Sequence, residues 1–148
     1  MSDKITFGEK VEGIDYRYRP GVYFVIFDKG KVALVKTSTG YFLPGGGIEI
    51  GESHQTCMER EALEELGWRV EIGDYLGNAE NYFLAVGSGR YIIMDGYFYL
   101  AKKLEQVSQP TEPDHATVWL EIAEARDKMW HPAQAWAIEE AYKKISQS

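Results

Sequence analysis

The stretch Pro44-Gly45-Gly46-Gly47-Ile48-Glu49-Ile50-Gly51-Glu52-Ser53, continued by HQTCMEREALEELGW over residues 54–68, decides how the rest of the chain is read. Three adjacent glycines argue against regular structure and predict a loop whose amides and carbonyls lie open to close approach. Ser53 stands where an N-cap belongs, good helix formers follow, and Gly67 occupies the C′ position, so a helix is predicted over Ser53–Leu66. Met58, Ala62 and Leu66 fall at i, i+4 and i+8 and form one core-facing stripe, with Trp68 folding back over the last turn. Beside that stripe Glu61, Glu64 and Glu65 stand at i, i+3 and i+4, a spacing that puts three carboxylates on one face. Like charges so placed cost about 0.2–0.5 kcal/mol per pair, and the helix macrodipole disfavours anions near this end. A hard divalent cation, Mg²⁺ or Mn²⁺, removes the conflict by taking oxygen ligands, and a solvated acidic face is the plain alternative.

Working outward, GVYFVIFDKGKVALVK (residues 21–36) reads as a hairpin, with strands Val22 to Phe27 and Val32 to Val35 around Asp28-Lys29-Gly30-Lys31. Strands are predicted near Tyr82 to Val86 and Tyr91 to Leu100 about the turn Gly87-Ser88-Gly89, and a loop over Gln106 to His115, which holds Pro110 and Pro113. A strand at Thr117 to Leu120 follows, and Pro132 opens an amphipathic helix to about Ile145. Strands mixed with two helices indicate an α/β or α+β class.

Composition agrees. The 148 residues are 45% hydrophobic and 14% aromatic, without repeat or linker, which suits one domain over 1–148. A net charge of −7 counts against a duplex nucleic acid partner. The single cysteine, Cys57, forms no internal disulfide, no apolar run reaches membrane-helix length, and the N-terminal residues lack a signal pattern. The expectation is a cytoplasmic protein with no membrane partner.

The spacing Gly46, five residues, Glu52, seven residues, Arg60-Glu61-Ala62, one residue, Glu64-Glu65, one residue, Gly67-Trp68 resembles the Nudix box. That box is the signature of the Nudix (MutT-like) pyrophosphohydrolase family, and the likeness holds at every spacing and polar position. Only Trp68, at a position normally aliphatic, departs from it. The resemblance implies an α/β/α sandwich with a mixed β-sheet and a Mg²⁺- or Mn²⁺-dependent hydrolase of a nucleoside diphosphate linked to another group. It further implies Glu61, Glu64, Glu65 and the Gly45 carbonyl as metal ligands, and a Glu52–Arg60 pair that orients the helix against the loop. The base that activates water differs within the family: Glu61 is one candidate, and Glu112, also a candidate ligand, or Asp114 from the downstream loop is the other.

Outside the box, Arg19, with Arg17 beside it, and the aromatics Tyr82 and Tyr91 are candidates for substrate contact. Phe83 shares with Tyr82 and Tyr91 the choice between stacking on a base and packing a strand core, Trp130, Trp136 and Tyr142 read as helix packing, and His54, His115 and His131 show no zinc spacing. Absence of any proline between Pro44 and Pro110 counts against ADP-ribose as substrate, Tyr82 falls short of the diadenosine-polyphosphate offset, and Leu34-Val35-Lys36-Thr37 lacks the coenzyme A pattern. A nucleoside triphosphate or a dinucleoside polyphosphate is favoured. The alternatives are a non-catalytic nucleotide sensor, which would lack box carboxylates, and a prenyl diphosphate isomerase, which would need a cysteine elsewhere than Cys57. A small-molecule nucleotide partner and a homodimer complete the expectations.

Overall fold

A computed structural model describes residues 4–85, 87–111 and 114–147. A five-stranded mixed sheet is ordered β1 (Ile5–Phe7), β7 (Trp68–Leu84), β8 (Tyr91–Gln106), β2 (Arg17–Val25), β6 (Gly45–Gly47). A smaller antiparallel sheet joins β3 (Phe27–Asp28), β4 (Lys31–Lys36), β5 (Tyr41–Phe42) and β9 (Ala116–Glu121), the last running the length of β4. Helix α1 (His54–Glu61) covers one face of the large sheet, and α3 (Pro132–Ser146) covers the other, with α2 (Ile122–Lys128) packed beside it. The layers are α/β/α, as expected.

Side-chain alternation along β2 explains the two cores. Val22 and Phe24 point to the α1 side, against Met58, Ala62 and Leu66. Val25, with Tyr23 packed against the same cluster, points to the α3 side, where Phe98, Ala79 and Ile138 lie. Met58 and Leu66 are each 1% exposed, so each contributes roughly 1.5–3 kcal/mol of transfer free energy. Ala133, Ala137 and Ala141 are fully buried at i, i+4 and i+8 and, with Ile138 buried beside them, form the face that α3 packs against the sheet. The buried Asn81 side chain on β7 accepts the Ala133 N–H at 2.9 Å, satisfying one orphan donor of the α3 N-terminus.

Several expectations are corrected. The glycine stretch is a strand: Gly45, Gly46 and Gly47 pair antiparallel with Tyr23, Val22 and Gly21. A Cβ on Gly45 would stand 2.2 Å from the Val22 carbonyl oxygen, so the missing side chains allow the pairing. The hairpin turn holds, with positive φ at Lys29 and Gly30, but its first strand breaks at Ile26 and leaves β2 and β4 in different sheets. The second hairpin is much longer than expected, because Trp68, Val70 and Ile72 alternate inward past charged neighbours. Helices and strands β1, β5 and α2 were not foreseen; they are short and defined by their partners. Val86 lies outside the described residues. Among those described, no helix is long and apolar enough to cross a membrane.

Candidate active site

Ser53 caps α1 by accepting the Thr56 N–H at 3.1 Å, as expected. The expected uniform helix, however, widens into a π-helical turn over Ala62–Leu66 before Gly67 ends it at φ +73°. A wider turn rotates each residue by less than the α-helical step. Glu64 therefore trails away from the other two carboxylates: its side chain is 45% exposed, against 13% for Glu61 and 12% for Glu65. Thr111 fastens the following loop to this turn, its N–H and hydroxyl both donating to the Glu64 carbonyl.

Arg60 organises the acidic side chains. Its Nε and Nη2 grip both oxygens of Glu52 at 2.7 and 2.9 Å, its Nη1 reaches Glu61 at 2.8 Å and Glu64 at 3.4 Å, and Nη2 donates to the Gly47 carbonyl at 3.1 Å. The Arg60 hydrogen bonds, then the Glu49 N–H, hold the Glu52 carboxyl down at about 2. This is the Glu52–Arg60 pairing implied by the box, extended to two of the candidate ligands. Glu65 accepts the Gly45 N–H at 2.9 Å, and His115 Nδ1 lies 3.4 Å from its other oxygen. Gly46 passes directly under Glu61, where a Cβ would come within 2.7 Å of the carboxyl. Burial raises the Cys57 thiol to about 12, so it is an inert packing group.

Among the described residues no three acidic, histidine or cysteine side chains close into a cluster. The donors still fit a divalent cation: they are hard oxygens on one helix face, and the glycine strand beneath leaves a cradle that a side chain would fill. Glu61, Glu64 and Glu65 are the residues that would hold it. Glu112 lies outside the described residues.

Beside these carboxylates opens a cavity of about 400 Å³. Gly45, Gly46, Glu65, Asp114 and His115 line one end, and Phe42, Met94, His131 and Gln134 the other. Gln134 is 1% exposed, and its Oε1 accepts the Leu43 N–H at 2.7 Å. That bond turns the Nε2 amino group away, where it has no partner among the described residues. His131 is boxed by Phe83 and Trp130 at 4.7 and 4.8 Å and by Phe42 at 5.7 Å, and burial pushes it down to about 4, so it is neutral.

Of the expected substrate contacts, the two tyrosines are not brought here. Tyr82 and Tyr91 form an edge-to-face cluster with Tyr16. Alternation puts Asn81 and Phe83 on the α3 side with the cavity, and therefore Tyr82 on the opposite side. Arg17 and Arg19 are exposed on β2, and Arg19 is the register neighbour of Met94, on the cavity face. His131 and Gln134 went unnoticed in the sequence; the only local signal was an amide and an imidazole flanking the helix-opening Pro132.

A family profile for the NUDIX domain matches residues 17–141. Nudix hydrolase 18, mitochondrial, of Arabidopsis thaliana is 29% identical over 117 residues, 77% of this chain and 64% of that protein. Putative 8-oxo-dGTP diphosphatase 2 of Mycobacterium tuberculosis is 32% identical over 97 residues, 62% of this chain and 60% of that protein. The chain thus spans less than two thirds of the length of these curated relatives. Among solved structures, a NUDIX hydrolase from Nitrosomonas europaea shares the fold with a TM-score of 0.70 at 20% identity, covering 86% of this chain and 90% of that one. With the box geometry, the layered fold and the profile match in agreement, the chain belongs to the NUDIX family.

Proposed function

We propose that the chain is a divalent-metal-dependent pyrophosphohydrolase of a nucleoside triphosphate, oxidised purine forms included. The observation that carries this reading is a single cavity with carboxylates and glycine backbone at one end and an uncharged, aromatic-walled cleft at the other. One such cleft suits one base, which favours a triphosphate over a dinucleoside polyphosphate. Relatives from Mycobacterium tuberculosis and Bacillus subtilis are named putative 8-oxo-dGTP diphosphatases, which makes that nucleotide the first to try.

The bound metal, Mg²⁺ or Mn²⁺, supplies charge neutralisation on phosphate and a lowered pKa for attacking water. Arg60 keeps Glu61 in place over Gly46 while its fork stays clamped on Glu52. Phe42 and Met94 wall the base, and the Gln134 amino group donates to its edge, which favours a carbonyl there over an exocyclic amine. The water's proton passes to Glu61 or to a downstream carboxylate, of which Asp114 lines the cavity. Glu61→Gln and Asp114→Asn separate these, since only loss of the true base removes the acidic limb of the rate profile.

The deciding experiment is a metal-dependent hydrolysis panel of nucleoside triphosphates, oxidised forms, diadenosine polyphosphates, ADP-ribose and nucleotide sugars. Turnover confined to triphosphates supports the reading. Binding without turnover of any member turns it into the sensor alternative. Cytoplasmic residence and a homodimer belong to the same proposal. Cell fractionation decides the first, against plant relatives named mitochondrial. Sedimentation equilibrium decides the second, with Tyr142 and Ile145 of α3 exposed as an apolar face.

A further inference from the structure

We propose that the Tyr23 phenol is a positioning group that donates a hydrogen bond to a phosphate oxygen of the bound nucleotide, across a gap that Gly21 keeps open next to Arg19. The inference rests on the reading above that a phosphate chain enters the cavity.

Residues 19, 21 and 23 share one face of β2, the cavity face, because Met94 and Phe98 are the register neighbours of Arg19 and Tyr23. The face therefore presents a guanidinium, an empty position and a phenol in succession, each step about 7 Å along the strand. The phenol does not stand upright. Its ring lies along the glycine backbone, so that a Cβ on Gly45 would meet Cδ1 at 2.8 Å and one on Gly21 would meet the hydroxyl oxygen at 2.8 Å. Phe98 backs the ring at a centroid distance of 5.8 Å. The hydroxyl is thus held over Gly21, and Gly21 is glycine at a φ that asks for none: what a side chain would meet is the phenol, at 2.8–2.9 Å, and the Gly46 carbonyl oxygen, at 3.0 Å.

This hydroxyl makes no hydrogen bond among the described residues, although Tyr23 lines the cavity together with Gly45, Gly46 and Glu65. A tyrosine phenol keeps its proton at neutral pH, so this hydroxyl is available as a donor. A positioned donor facing the cavity is free to bond an acceptor that a ligand brings there. Tyr23 is the register neighbour of Gly45, whose N–H holds Glu65, so the acceptor is assigned to the phosphate chain and not to the base. Arg19, next along the face, matches the same anionic charge.

The test is calorimetric binding of an imido-bridged purine nucleoside triphosphate with Mg²⁺, beside the parent nucleoside, to wild type and Tyr23→Phe. The expected result is a roughly tenfold weaker triphosphate complex, unchanged nucleoside binding and unchanged melting temperature. Gly21→Ala, which drives a methyl into the hydroxyl's place, is expected to give the same loss and to add little when combined with Tyr23→Phe. Equal triphosphate affinity in wild type and Tyr23→Phe overturns the proposal. So does an equal loss on the nucleoside, or multiplication of the two losses in the double variant. A wild type that binds the analogue through Tyr23 but hydrolyses nothing sinks the hydrolase reading alone, whereas full turnover by Tyr23→Phe with unaltered kcat/KM sinks this contact alone.

Discussion

The two ends of the cavity solve opposite electrostatic problems with neighbouring stretches of backbone. At the Gly45–Gly46 end, Glu52, Glu61 and Glu64 gather around one arginine and Glu65 takes the Gly45 N–H, so charge is kept in place by hydrogen bonds from Arg60 and from the glycine backbone. At the His131–Gln134 end charge is refused: the imidazole is held neutral by burial, and the one amide is oriented by the Leu43 N–H. An end built to hold anions suits cation-bound phosphate, and a neutral end suits a flat, weakly polar base. The division of labour is spatial, with Leu43 on one side of Pro44 and Gly45 on the other.

Substitutions at each end either keep or erase that division. Glu65→Gln strikes the charged end directly, and a loss of about 10²–10³ in kcat with little change in nucleoside affinity is expected from steady-state kinetics and titration. Arg60→Lys keeps the charge but not the fork that spans Glu52 and Glu61; a roughly 10- to 100-fold weaker metal affinity, read as a higher half-saturating Mg²⁺ concentration in titration of the rate, is expected. Gln134→Leu acts on the neutral end: the preference for guanine over adenine triphosphates falls about tenfold in kcat/KM, while metal dependence stays as in wild type. If Gln134→Leu alters the metal requirement, the two ends are one unit and the division fails.

Acid separates the ends by titration. His131 has an unfolded value of about 6.5 and a folded value of about 4, so between these the unfolded chain binds the extra proton. Stability therefore falls from pH 6.5 down to about 4, by roughly 3 kcal/mol. Glu52 is depressed to about 2, so its contribution is present above 4.5 and is lost only below that, as pH falls towards 2. Urea melts across pH should show two successive declines, the first absent in His131→Phe.

The charged end was legible in the sequence because its parts are local. Glu52, Arg60 and the three glutamates lie within one loop and one helix, where cap and period signals fix geometry. The π-helical turn that sets Glu64 apart was not legible, since cap and period signals do not mark a single widened turn, and its contact with Thr111 comes from 47 residues away. The neutral end was invisible for the same reason, Gln134 meeting Leu43 across 91 residues. Tyr82 was misplaced by parity: an aromatic run reveals a strand but not which residues face which side, and a one-residue shift reverses every assignment. The three glycines misled in the other direction, because freedom from side chains lets a segment pair as readily as it lets it loop.

The alanines of α3 carry a consequence for divergence. Ala133, Ala137 and Ala141 act as shims of one methyl's thickness between helix and sheet, and His131 and Gln134 ride on the end of that helix. Thickening a shim would lift the ceiling of the base cleft while leaving every polar residue unchanged. The size of base accepted can therefore drift through positions that touch no ligand at all.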